Sequence, residues 1–254
     1  MKQILYLFLL LPLLYSCQKY NEPPFDKKED ALRKLPDTVS YMIIDSLWQK
    51  RDSLSYLRFK NTKQIVLIEA DSIPKWITSF KNLKVLYSSN HVKKIKTIPK
   101  NIDLLFNLLQ IDLPNNKISQ LPKSIFNLKH LERLNLNDNS LNDIPNEIDR
   151  FTNLKVLLLG GNNLKAIPEN TCKLNELSIF AFNDNPIVYL PYCFNSDSKI
   201  ESFYISNTKI THIPIQILNL PNLKEIAAMG LNLDNSEEVK AICDKRRITF
   251  YYGK

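Results

Sequence analysis

The chain has 254 residues, 44% of them apolar, and carries 34 basic against 26 acidic side chains for a formal charge of +8. That apolar content excludes a disordered chain, and the length suffices for one domain whose core holds without disulfides. The charge is moderate for this length, so nothing in it calls for a nucleic-acid partner.

The first seventeen residues read MKQILYLFLLLPLLYSC: a Lys, an apolar run from Ile4 to Leu14, then Ser16-Cys17. The run is too short to span a bilayer as a helix. It resembles a bacterial lipoprotein signal peptide, with Leu14 three places before the Cys and Ser16 immediately before it; Tyr15 is larger than the usual residue there. The resemblance implies removal of residues 1–16, lipidation of Cys17, and a membrane-anchored lipoprotein of the cell envelope, at the outer membrane or cell surface. An uncleaved anchor and an ordinary secretory signal are the alternatives. Residues 17–38 are charged and contain prolines, which reads as a tether.

Residues 39–72 form the expected N-terminal cap. Tyr41, Ile44, Leu47 and Trp48, then Leu54, Leu57 and Phe59, follow near-helical spacing, and IVLIEA after them is strand-like. Between Ser72 and Ile102 lie Lys75, Lys81, Lys84, Lys93, Lys94, Lys96 and Lys100 with no acidic residue. That edge is either simply solvated or turned to an anionic surface.

From Ile73 to Asn235 the chain repeats. Ile98-Pro99, Leu121-Pro122, Ile144-Pro145, Ile167-Pro168, Leu190-Pro191 and Ile213-Pro214 succeed one another every 23 residues, and such a period fixes the architecture. Within Leu131-x-x-Leu134-x-Leu136-x-x-Asn139-x-Leu141, Leu134 and Leu136 alternate with Arg133, Asn135 and Asn137, the period-two signature of a strand with one buried face. Pro145, Ile148 and Phe151 then follow at three-residue spacing, which predicts a short helical or 3-10 return. No coil can bury its leucines alone, so neighbours stack. Asn116, Asn139, Asn162 and Asn185 fall at one place in the coil and should form a ladder that satisfies backbone groups at the turn, ending at Thr208 and Leu231. The coil around Asn90 departs from the pattern by a deletion and a later insertion.

These features resemble the leucine-rich repeat family in its 23-residue form. The resemblance implies an α/β solenoid: a horseshoe with a parallel concave sheet, short helical or 3-10 segments on the convex side, a helical N-terminal cap, and a C-terminal cap over residues 236–254. In that cap EEVKAICDKRR reads as a helix and ITFYY as a last strand, with Ile248 and Phe250 facing one way.

Chemistry is not legible. His91, His130 and His212 stand at unrelated offsets, and no nucleophile, phosphate-loop or dinucleotide fingerprint occurs. No metal-ligand spacing and no cofactor motif is present. Asp112 and Glu132 are the conceivable pair of acids on the concave face; a solvated polar face is the simpler account. Cys172 and Cys193 lie on the outer side of adjacent coils two places out of step, which leaves a disulfide open. Cys243 stands where the repeats bury a Leu, as a core thiol.

If the framework is fixed, function lies in the outward strand positions. Val156, Leu158, Ile179, Ala181 and Tyr204 should form an exposed apolar patch bordered by Arg133, Asn135, Asn183 and Glu225, and apolar surface with a polar rim marks binding sites. Members of the family act overwhelmingly as protein-binding scaffolds. The expectation is therefore a non-enzymatic scaffold for a protein ligand, anchored through lipid at Cys17, with glycan capture at the cell surface as the alternative.

Overall fold

The structure, a computed structural model, describes residues 40–45 and 59–253. The expectations for the signal peptide, the lipidated Cys17 and the tether fall outside these residues. A compact unit runs over Thr38–Lys254.

Among the described residues ten strands form one sheet in chain order, every neighbouring pair parallel. They are β1 (Tyr41–Asp45), β2 (Gln64–Ile68), β3 (Val85–Ser89), β4 (Gln110–Asp112), β5 (Arg133–Asn135), β6 (Val156–Leu158), β7 (Ile179–Ala181), β8 (Ser202–Tyr204), β9 (Glu225–Met229) and β10 (Thr249–Gly253). The 23-residue period sets the register. Leu86, Ile111, Leu134, Leu157, Phe180, Phe203 and Ile226 line up on successive strands, each fully buried. Around Phe180 the core is aromatic, with Phe182 at 4.0 Å and Phe203 at 5.3 Å between ring centroids, edge to face.

Prolines 74, 122, 145 and 168 each stand before a 3-10 segment, at Lys75–Ser79, Lys123–Asn127, Asn146–Arg150 and Glu169–Lys173. A proline there loses no hydrogen bond, since the first helical amides have no partner within the turn, and its fixed φ suits the entry. After Pro214 the return is a short α-helix, α1 (Ile215–Leu218). After Pro191 no helical segment forms. Phe194 instead drops into the core beside Phe180 and Phe203. It stands at the coil position that Thr171 holds one coil earlier.

The disulfide left open by the sequence is formed: Cys172 and Cys193 are bridged with Cα atoms 5.8 Å apart. It staples the coil that lacks a helical return to the one before it. At the C-terminus α2 (Ser236–Arg246) and β10 match the expected helix and strand. Cys243 is buried, and burial pushes its thiol up to about 11.

The N-terminal cap is a correction. Tyr41–Asp45 is a strand, not the start of a helix, with Met42 and Ile44 buried and their neighbours half-exposed. Pairing with β2 decides this: five residues carry too little periodicity to settle helix against strand, and the open edge of β2 supplies hydrogen bonds a short helix would forgo. Leu47, Trp48, Leu54 and Leu57 lie outside the described residues. β2 is the strand expected at IVLIEA, and β1 pairs with it.

Candidate functional site

The turns after β4 to β7 are built from two repeating devices. The first is the Asn ladder. The Asn162 side chain accepts from the backbone N–H of Leu141 at 2.9 Å and donates to the carbonyls of Leu136 and Leu159, both at 2.9 Å. Asn139 and Asn185 repeat the pattern one coil either side. Asn116 accepts from Ile95 and donates to Leu113 and Ser88. Asn90 extends the ladder upstream, bonded to both backbone groups of Ala70 and to Asn116. Strand β3 lies 21 residues after β2 and 25 before β4, which hides Asn90 from a fixed 23-residue frame. At Thr208 the amide is replaced by a hydroxyl that reaches only the Ile205 carbonyl of its own coil. The second device is the residue before the ladder position: Asn115, Asp138, Gly161, Asp184 and Asn207 all take positive φ, which those three residue types tolerate best.

These turns hold the outward face of the sheet in fixed rows. Along one row stand Gln110, Arg133, Val156, Ile179, Ser202 and Glu225; along the next, Tyr87, Asp112, Asn135, Leu158, Ala181, Tyr204 and Ala227. Val156, Leu158 and Ile179 are half-exposed, making an aliphatic cluster on β6 and β7. One of the expected placements needs correction: Ala181 is buried, because its single methyl lies in the row between the larger Leu158 and Tyr204. Leu158 and Tyr204 share that row, and Ile179 belongs to the neighbouring one.

The expected rim is locked rather than loose. Arg133 Nε donates to Asp112 at 3.0 Å, and the Asp112 carboxylate, buried, also takes the Gln110 amide. Across the cluster the Tyr204 hydroxyl donates to the Glu225 carboxylate. Both contacts join residues 21 apart in sequence, one row over and one coil on, a diagonal that long side chains reach. That spacing is the signal by which the pairs could have been read in advance. Burial first, and then the Asp112 carboxylate, holds the Tyr87 phenol above its ordinary value, so it stays protonated. Asn135 accepts from the Asn137 amide.

Of the conceivable pair of acids, Asp112 is held by Arg133, while Glu132 pairs with Lys155 at 3.0 Å. His212 faces Asp234 at 2.8 Å on the outer side. Among the described residues no cluster of His, Cys, Asp and Glu could hold a metal, and no helix is long and apolar enough to cross a membrane.

Glu69 was not singled out by the sequence. Itself at positive φ, it accepts the backbone N–H groups of His91, Val92 and Lys93 at 2.7 to 3.0 Å, which closes the inserted loop of the β3 coil. Those hydrogen bonds lower its pKa to about 2.

Comparison with known proteins accords with this geometry. A family model described as a leucine-rich repeat region matches residues 64–190. The leucine-rich repeat domain of the type III effector XopL superposes with a TM-score of 0.73 at 16% identity, covering 90% of this chain and 80% of that one. An internalin from Listeria monocytogenes gives 0.65 at 16% identity, covering 79% of this chain and 56% of its own, so this chain spans little more than half of it. The plant peptide hormone receptor RGFR1 in complex with RGF2 gives 0.55 at 23% identity, covering 76% and 34%. No curated protein matches.

Proposed function

The chain belongs to the leucine-rich repeat family, and from that membership we propose a non-enzymatic protein-binding scaffold that takes its ligand on the outward face of the sheet, β5 to β9. The observation that carries this reading is the aliphatic cluster of Val156, Leu158 and Ile179, half-exposed on the outward sheet face and flanked by the polar pairs Asp112–Arg133 and Tyr204–Glu225. Apolar side chains left in water at the centre of a rigid surface are the usual anchors of a protein interface. The flanking pairs, Asp112–Arg133 and Tyr204–Glu225, are already ordered, so little side-chain entropy is lost when a ligand meets them. The RGFR1 complex is a precedent for a fold of this kind holding a peptide.

The scaffold is proposed to sit at a bacterial cell surface, held by lipid at Cys17. The apolar run ending in Ser16-Cys17 supports this. Cys17→Ala should release the protein from the membrane fraction or leave it unprocessed, and fatty-acid labelling that survives the substitution would sink the anchor.

The binding reading is tested by cross-linking the full chain to its partners in the native envelope and comparing variants. Leu158→Asp and Tyr204→Ala should lose the partner that wild type captures, with unchanged melting temperature, while Lys123→Ala on the outer side keeps it. Loss in Lys123→Ala with retention in Leu158→Asp would move the binding surface off the sheet.

A further inference from the structure

Immediately before each strand one residue forms a continuous row, its backbone N–H donating to the carbonyl of the equivalent residue one coil back. The row runs Lys63, Lys84, Leu109, Glu132, Lys155, Ser178, Glu201 and Lys224, joined at 2.7 to 2.9 Å. Downstream its charges alternate and pair: Lys155 with Glu132 at 3.0 Å, Lys224 with Glu201 at 2.7 Å. Upstream they do not. Lys63 and Lys84 are adjacent members, and among the described residues neither makes an ion pair. Like charges at the strand spacing of about 4.8 Å are unfavourable. A row that elsewhere neutralises itself here leaves two cations together.

The two lysines line an open cleft of about 530 Å³ whose other walls are Ser40, Asn61, Asn82 and Asn107. The asparagines belong to a second repeating row. Asn82 donates to the Lys60 carbonyl and to Asn61, and Asn107 to the Lys81 carbonyl, so the carboxamides are fixed by the turns before the strands. The two cations, with the amide hydrogens of Asn61 and Asn107 that remain uncommitted and the Ser40 hydroxyl, are donors suited to a compact anion with several acceptor oxygens, and among the described residues no carboxylate and no aliphatic side chain lines the cleft. We infer that this cleft at the start of β2 and β3 binds a phosphate group, with Lys63 and Lys84 as its charged contacts. The site stands apart from the aliphatic cluster on β6 and β7 and does not rest on the protein-binding reading.

The phosphate could belong to a soluble molecule or to a lipid headgroup, and the two are separable. The full chain is titrated with inorganic phosphate at constant ionic strength, following melting temperature and heat of binding. It is then tested for flotation with phosphatidylcholine vesicles with and without phosphatidic acid. Wild type should bind inorganic phosphate saturably or float with the phosphatidic-acid vesicles, and Lys63→Gln should weaken that binding about tenfold. Lys84→Glu is the decisive variant, because it restores the Lys–Glu alternation seen downstream. It should melt higher than wild type without phosphate and show no response to phosphate. Lys155→Gln, outside the cleft, should bind phosphate as wild type does. Binding only to phosphatidic-acid vesicles, lost in Lys84→Glu, would identify a headgroup as the source; binding of free phosphate would identify a soluble one. No binding of either probe, an undiminished response in Lys84→Glu, or an equal loss in Lys155→Gln would overturn the site.

Discussion

Asn162→Ala tests whether the ladder is structural in the way its hydrogen bonds indicate. Four contacts vanish with the side chain, but their costs are unequal. The Leu136 carbonyl keeps a bond from Asn139 and the Leu159 carbonyl keeps one from Asn185, while the Gly160 carbonyl keeps the Asp138 amide. Only the Leu141 N–H loses the partner it has in the structure. An orphaned buried amide costs about 1 to 3 kcal/mol, and each acceptor reduced to one bond roughly 0.5 kcal/mol. The expected loss is therefore about 2.5 to 4.5 kcal/mol, a large share of the roughly 5 to 15 kcal/mol typical of a domain. Thr208→Val, at the end of the ladder, removes one bond to one carbonyl and should cost about 1 kcal/mol. Urea denaturation of both variants, with slopes matching wild type, supplies the comparison. An Asn162→Ala loss no larger than that of Thr208→Val would refute the reasoning, because the interior rung would then be no more costly to remove than the terminal one.

Leu136→Ala removes a fully buried side chain and should cost about 2 to 5 kcal/mol, whereas Asn135→Ala on the outward face should cost under about 1 kcal/mol; equal losses in a chemical melt would contradict the register. Glu69 has a depressed folded-state pKa, so its contribution is complete above the ordinary value of 4.5 and is lost as pH falls through about 2; the amide resonances of His91 to Lys93 should move together over that window, and in Glu69→Gln they should not. Opening the Cys172–Cys193 loop, 21 residues apart, by Cys172→Ser with Cys193→Ser should lower stability by about 3 kcal/mol in an oxidising buffer; an unchanged urea midpoint would mean the bridge does not form. In a Cys17→Ala background the buried Cys243 should react with a thiol reagent at pH 8 only after unfolding.

The parts of the fold that could be read from the sequence are those that repeat. A 23-residue spacing of Pro, Leu and Asn records one local geometry several times over, so β4 to β9, the 3-10 returns after Pro122 and Pro145, and four ladder positions were all legible. Features that occur once, or depend on a neighbour's size, were not. The strand at Tyr41–Asp45 owes its form to β2, Asn90 is masked by unequal coil lengths, and Ala181 is covered by Leu158 and Tyr204 although its position is outward. The candidate site was legible as an apolar stripe, but the fixing of Arg133 by Asp112 and of Tyr204 by Glu225 depends on side-chain reach across a diagonal. Cys172 and Cys193 looked out of step because the missing helical turn after Pro191 cannot be counted from the cysteines themselves.

The ladder also has a direction. Asn139, Asn162 and Asn185 each reach back to backbone groups 21 and 26 residues earlier, so a coil's turn is completed by the coil that follows it. During synthesis the newest coil is always the unfinished one, and the chain becomes self-sufficient from its N-terminal side in the order it is made. Shortening the protein from the two ends is accordingly not equivalent. A cut on the C-terminal side strips the amide from the last remaining turn and leaves its backbone N–H without a partner, whereas a cut on the N-terminal side leaves an asparagine side chain that water can satisfy. Nested truncations that stop at successive coil boundaries should therefore tolerate loss from the front better than loss from the back, an asymmetry that leucine packing alone would not produce.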